Sequence, residues 1–171
     1  ALGNPLDGIY ADTGCQLQAG GLNAGEGNII RGTTTGIGIR ILDSATRVTI
    51  LGNSILGNNA LGIDLGGDGV TANNGTKSEA QPNRDMDYPV ITSAAYGAGT
   101  LYVTGYVGSA ANQSTFAGAR VEVFLSDNDA TGYGEGQSYL GYLTADASGN
   151  FSGSFTPAAT VAVGNLVTGT A

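Results

Sequence analysis

Histidine and tryptophan are absent from this 171-residue chain, and cysteine, methionine and lysine occur once each. Without histidine there is no Ser-His-Asp or Cys-His catalysis, and the commonest transition-metal ligand is missing. The single cysteine, Cys15, cannot form an internal disulfide and reads as a small buried apolar group, with an intermolecular link as the alternative. Charged residues make up only 12%, and they sum to −8. With no basic patch, neither nucleic acid nor an anionic membrane surface is an expected partner. No apolar run approaches the roughly 18 residues that a membrane-crossing helix needs, so no membrane insertion is expected. No leader-like segment is visible. The opening ALGNPLDGIYA starts in mid-pattern, as a mature product or an excised fragment would.

What is abundant is glycine, 30 residues of 171, together with Asn, Ser, Thr, Val and Ile. No Gly-x-y period exists, which excludes collagen. Helical spacing of apolar residues is missing throughout, and short alternating stretches bounded by Gly and Asn take its place. The chain therefore reads as all-β. Low charge with many β-branched residues argues against disorder. An acidic, lysine-poor, Asn/Gly/Ser/Thr-rich composition fits an extracellular or cell-surface location.

The first half repeats. Gly8-Ile9-Tyr10-Ala11, Gly38-Ile39-Arg40-Ile41 and Gly62-Ile63-Asp64-Leu65 form one beat, and GNIIRG (27–32) and GNSILG (52–57) a second. Between them lies RVTILGN (47–53). Each cycle of roughly 22–30 residues thus holds two or three very short strands separated by Gly-Asn corners, the pattern of a parallel β-helix. A strand of about four residues is unstable alone but gains a full ladder when stacked on its equivalent. Ile9, Ile39 and Ile63 are predicted to form one inward column. Ile29 over Ser54, or Ile30 over Ile55, would form another. Asn28 is predicted to sit over Asn53 as a side-chain ladder. Unrelated hairpins are the competing reading.

The texture changes at Gly66. A polar stretch, 66–87, reads as closing loop and linker. Beyond Pro89 come six longer strands, 90–96, 100–108, 119–126, 138–145, 150–156 and 165–170, as in a small antiparallel sandwich. Val121, Val123 and Leu125 are predicted to face its core, with Arg120, Glu122 and Phe124 on the other side. Seven of the eight tyrosines (all but Tyr10) lie in this half, where exposed rings could bind sugar or protein and buried ones would be core.

Three segments carry a resemblance. GIDLGGDGVTANN (62–74), PNRDMDYPVITSA (82–94) and VEVFLSDNDATGYGEGQSYLGYLTADASGNFSGSF (121–155) resemble the C-terminal part of secreted bacterial β-helix repeat surface proteins. In that family right-handed parallel β-helix coils end in a GIDLGGDG-like element. An Ig-like β-sandwich follows, with a GYGEGQ stretch and a DASGNF hairpin. The resemblance implies a short right-handed parallel β-helix over 1–70, a linker over 71–88 and an Ig-like sandwich over 89–171. It implies an exported location and, weakly, a structural or adhesive role. The present chain holds three coils at most, where the family has many.

GIDLGGDG itself could be several things. A phosphate loop needs a following helix and a closing Lys-Ser/Thr; no helix follows GIDLGGDG and no lysine closes it. As a coil element, Ile63 and Leu65 face inward, Asp64 outward, and the glycines turn the chain away. Calcium is the metal to weigh. Asp64, Asp68, Asp85 and Asp87 around the linker, and Asp127, Asn128, Asp129 and Glu135 in the 126–138 loop, supply oxygen ligands without an EF-hand or nonapeptide spacing. Catalysis has less support. Pectin hydrolases on this fold use a Gly-His-Gly motif that is lacking here. A lyase could use Arg40 beside Asp64, though a cross-coil salt bridge is the plainer reading. Asp64 and Asp68 as glycosidase carboxylates rest on spacing alone. The expected role is an extracellular structural or adhesive module whose partners are further copies of itself or neighbouring coils, assembling head to tail. The alternative is a polysaccharide-binding or polysaccharide-cleaving protein on the same scaffold.

Overall fold

The structure, a computed structural model, describes residues 3–42, 45–127, 129 and 131–171. The chain is all-β, with thirteen strands and two single-turn 3-10 segments among the described residues. No helix among them is long and apolar enough to cross a membrane. The chain divides into two compact units.

The first unit comprises Ala1–Thr71, Ser78–Asp85 and Asp127–Gln137. It contains seven short strands: β1 (Ile9–Ala11), β2 (Gln16–Gly20), β3 (Ile29–Arg31), β4 (Ile39–Ile41), β5 (Arg47–Leu51), β6 (Ser54–Leu56) and β7 (Ile63–Leu65). They pair as three parallel ladders, β1-β4-β7, β2-β5 and β3-β6. Ile9 pairs with Ile39 and Ile39 with Ile63, in the register the repeat predicts. Of the two alternatives for β3 and β6, the buried pair is Ile30 over Ile55, while Ile29 stands exposed. These side chains share a core with Ala11, Ile41, Ala45 and Val48, against which Ile9, Cys15, Leu17 and Ile63 are packed at its margin. Three-residue strands persist here because the ladders satisfy their backbone groups and the core buries one face.

Asn28 and Asn53 do stack. Asn53 Oδ1 accepts the Asn28 N–H at 2.9 Å and its Nδ2 at 3.0 Å, and Asn53 Nδ2 donates to the Ala19 carbonyl at 2.8 Å. Asn53 is 2% exposed. The corner requires glycine beside it. A Cβ on Gly20 would lie 2.0 Å from the Leu51 carbonyl oxygen, and Gly20 has φ +80°.

The second unit comprises Ala72–Lys77, Met86–Ser126 and Ser138–Ala171. Its strands are β8 (Pro89–Gly97), β9 (Thr100–Val107), β10 (Arg120–Ser126), β11 (Gly136–Thr144), β12 (Asn150–Phe155) and β13 (Val167–Thr170), the first two residues of β11 grouping with the first unit. They form two three-stranded sheets, β12-β9-β8 and β11-β10-β13. The pairs β8–β9, β9–β12 and β10–β13 are antiparallel. Leu101, Val103 and Val107 of β9, Val121 and Val123 of β10, Leu140 of β11 and Phe151 of β12 share one core with Phe116.

One sequence expectation needs correction, and two further features had no clear signal in the sequence. The DASGN segment does turn tightly, with Gly149 N–H on Asp146 O, but the strands it joins, β11 and β12, belong to different sheets and do not form a hairpin. The face of β10 opposite the core is not open. Glu122 is 2% and Phe124 4% exposed, because Tyr139 packs edge-on against Phe124 and Arg120 lies 3.6 Å from the Tyr142 ring centroid. The Gln16–Gly20 strand was not foreseen. Only Leu17 and Ala19 mark its alternation, and its register with β5 supplies the rest.

A strained turn gives a simple test. Ala98 (φ +49°) and Gly99 (φ +78°) link Gly97 to Thr100, a two-residue connection of the kind that favours Asn-Gly. Ala98→Asn is expected to stabilise the chain by about 0.5–1 kcal/mol in urea unfolding, because asparagine tolerates the left-handed region better than alanine.

Candidate functional site

The glycine-rich segment after β7 folds around its own aspartate. Asp64 Oδ1 accepts the Gly67 N–H at 3.0 Å and Oδ2 accepts the Gly69 N–H at 3.1 Å. Gly66, Gly67 and Gly69 all have positive φ, the conformation that turns successive N–H groups toward one carboxylate. Asp64 is therefore 3% exposed, where the sequence suggested an outward position. Its alternation with Ile63 and Leu65 holds, but the loop covers it.

Arg40 is the register partner of Asp64. The expected salt bridge nevertheless goes elsewhere. Arg40 Nε lies 3.0 Å from Asp7 Oδ2, and Nη2 donates to Asp7 Oδ1 at 3.3 Å. Asp7 Oδ1 also accepts the Ile37 N–H at 2.8 Å. The two Asp64 oxygens already face glycine N–H groups, which leaves the guanidinium to Asp7. A partly exposed pair of this kind contributes about 0–1 kcal/mol.

Burial pushes the Asp64 carboxyl above the ordinary aspartate value of 3.8, against the Gly69 and Gly67 hydrogen bonds; Asp68 adds to the rise and Arg40 opposes it. The folded chain thus holds this proton more tightly than the unfolded chain. Asp64's contribution to stability is greatest below 3.8 and falls as pH rises through the raised folded value. Urea unfolding of wild type and Asp64→Asn at a series of pH values should show wild type losing ground to the variant over that window, then a constant difference. A wild-type advantage that grows with pH would contradict this.

Asp68 is exposed. Asp85 is half-buried in a left-handed conformation, its N–H on the Pro82 carbonyl. Asp87, in the second unit, is buried and accepts the N–H groups of Asn74 at 3.2 Å and Gly75 at 2.8 Å. Asp127 Oδ1 accepts the Glu135 N–H at 2.8 Å. Asp129 is exposed and accepts the Thr131 N–H at 2.6 Å; these Thr131 hydrogen bonds hold its pKa below the usual value. Asn128 lies outside the described residues. Among the described residues no group of three or more acidic or cysteine side chains is placed to hold a metal.

Glu135 does something the sequence did not signal. Only 6% exposed, it accepts the Asn58 N–H at 3.1 Å through Oε2 and the Asn58 side-chain amide at 2.7 Å through Oε1. The Ser54 hydroxyl donates to the Gln137 carbonyl. Residues 135–137 are thereby fixed along β6. A second brace lies at β5. Asn83 Oδ1 accepts the Val48 N–H at 3.2 Å, and the Asn83 N–H donates to the Ala45 carbonyl at 2.8 Å. Asn83, at φ +43° in the Pro82–Arg84 turn, occupies the place of a next strand's residue. The β5 and β6 ladders are thus braced beyond their last strands, while the loop after β7 folds back onto the Asp64 side chain.

At the other end the ladders terminate in β1, β2 and β3. Among the described residues, no strand or loop backbone pairs with β2 or β3 on the side away from β5 and β6. Leu22 and Ile29 beside these strands are 65% and 71% exposed. A scan against models of known protein families finds none that matches the chain.

Proposed function

We propose that the chain is an extracellular structural or adhesive surface module. In this reading residues 1–70 wind as a short right-handed parallel β-helix and residues 89–171 form an Ig-like β-sandwich. Support for the winding comes from the three parallel ladders and the equivalent positions they align. The observation that carries the architectural role is what the buried carboxylates do. Asp64, Asp87 and Glu135 each accept backbone N–H groups and so hold loops in place. A buried carboxylate committed in this way is a fixed part of the fold, not a general acid or base poised over a substrate. Acidic composition and the resemblance to secreted repeat proteins support the location.

A second reading, polysaccharide binding, is favoured by Tyr96, Tyr102 and Tyr142, which stand 43%, 55% and 50% exposed in the second unit. One set of incubations separates the readings. With uronic-acid and neutral polysaccharides the chain is expected to produce neither unsaturated products nor new reducing ends. Turnover abolished by Asp64→Asn in a folded variant would overturn the architectural reading. Retention on a polysaccharide column, lost on Tyr102→Ala, would favour the second.

A further inference from the structure

We infer that the outer face of the β12-β9-β8 sheet binds an uncharged polysaccharide, laid along β9 and stacked on Tyr102 and Tyr106. The inference rests on the polysaccharide-binding reading and adds to it which face takes the ligand and which chemical class of ligand it takes. Three observations carry it.

The strand alternation puts two tyrosines in one file. Along β9 Leu101, Val103, Gly105 and Val107 are buried, so Tyr102, Thr104 and Tyr106 stand on the other face. Tyr102 is 55% exposed and Tyr106 half-buried. Four strand steps separate the two by about 13 Å. That span exceeds one pyranose ring, so the file suits a sugar chain and not a single sugar.

Small hydroxyl side chains flank the file. In register with Tyr102 and Thr104 are Ser154 and Ser152 of β12, and Ser93 of β8 is the other partner of Thr104. All three serines are exposed. The Thr92 hydroxyl donates to the Thr104 carbonyl at 3.2 Å and lies 3.1 Å from Thr104 Oγ1, which fixes the threonine between the rings. A protein partner would call for larger apolar groups between the tyrosines. Aromatic rings set among hydroxyls match a sugar, which is apolar on its C–H faces and hydroxylated at its rim. A platform held by a sheet has little left to order on binding.

The absence of charge selects the class. No Asp, Glu, Lys or Arg occurs in β8, β9 or β12, in a chain that carries −8. A uronate or sulfate group meets no cation on these strands and is opposed by the net charge of the chain. A neutral polysaccharide meets neither difficulty. The other exposed tyrosines lie outside the file. Arg120 already covers one side of the Tyr142 ring, 3.6 Å from its centroid, and Tyr96 is the register partner of buried Leu101, on the opposite face.

Native affinity electrophoresis of the intact chain tests this, with hydroxyethylcellulose, galactomannan or xyloglucan in the gel and polygalacturonate as the charged probe. Wild type is expected to be retarded by at least one of the neutral polysaccharides and not by polygalacturonate. Tyr102→Ala, at an exposed position, is expected to keep the circular dichroism and melting temperature while weakening binding about tenfold. Tyr102→Phe, which keeps the ring, and Tyr142→Ala are both expected to bind within about twofold of wild type. Retardation by polygalacturonate alone, retention that survives Tyr102→Ala, or binding lost on Tyr142→Ala would each overturn the inference while leaving polysaccharide binding in place. Failure of the underlying reading looks different: none of these polysaccharides would then retard the wild-type chain, and both would fall.

Discussion

Asn53→Ala is expected to destabilise the first unit by about 2–4 kcal/mol, among the largest effects of any single polar substitution in the chain. The side chain is 2% exposed and serves two neighbouring segments at once. Its oxygen receives two donors from Asn28, and its amide satisfies the Ala19 carbonyl. Alanine leaves the Asn28 N–H and the Ala19 carbonyl without these partners, and a buried polar group so stranded costs about 1–3 kcal/mol. Asn53→Asp discriminates between size and chemistry. It keeps an acceptor for Asn28 but turns an oxygen toward the Ala19 carbonyl, so it should be no better tolerated than alanine above the aspartate titration range. Urea unfolding followed by circular dichroism measures both. If Asn53→Asp is neutral, the stacked-amide account of this corner is wrong.

The second large effect is expected in the other unit. Gly105 of β9 pairs with Phe151 of β12 on one side and Ile91 of β8 on the other. A Cβ there would lie 2.2 Å from the Val90 carbonyl oxygen and 2.4 Å from the Phe151 ring. The ring is 2% exposed and the oxygen belongs to backbone, so neither can yield. Gly105→Ala is expected to cost about 3 kcal/mol through overpacking. Gly153→Ala is the control. Its Cβ would meet only the tip of Leu143, at 2.7 Å, a flexible end that can move aside. A loss below about 1 kcal/mol is expected there. Equal effects at the two positions would mean that Phe151 does not use the space above Gly105.

Much of the fold was legible because the chain repeats itself. The Gly-Ile beats placed Ile9, Ile39 and Ile63 in one register, and the GN beats placed Asn28 over Asn53. All six strands after residue 88 could be read from alternation and turn signals. What escaped lacks a local signature. β2 owes its strand to β5, because Leu17 and Ala19 alone make too weak an alternation. The brace at Asn83 works through a left-handed backbone and an amide, and a Pro-Asn-Arg turn does not announce which strand it will meet. Glu135 reaches Asn58 across 77 residues of sequence, beyond any local pattern. The acidic residues were read as two clusters because they are close in sequence. In the structure Asp64, Asp87, Asp127 and Asp129 accept different backbone N–H groups. Asp64 was expected outward because strand alternation predicts a direction, whereas solvent access is set by the loop that returns over it.

The central claim is the register of the parallel ladders, since the buried column and the asparagine stack both follow from it. A one-residue slip would exchange every side chain between core and solvent. Nuclear Overhauser contacts between backbone protons of an isotope-labelled sample read this directly. The account predicts cross-strand contacts linking Ile9 to Ile39 and Ile39 to Ile63, with Leu17 to Val48 and Ile30 to Ile55 in the neighbouring ladders. Contacts displaced by one residue, or antiparallel contacts among these strands, would contradict it.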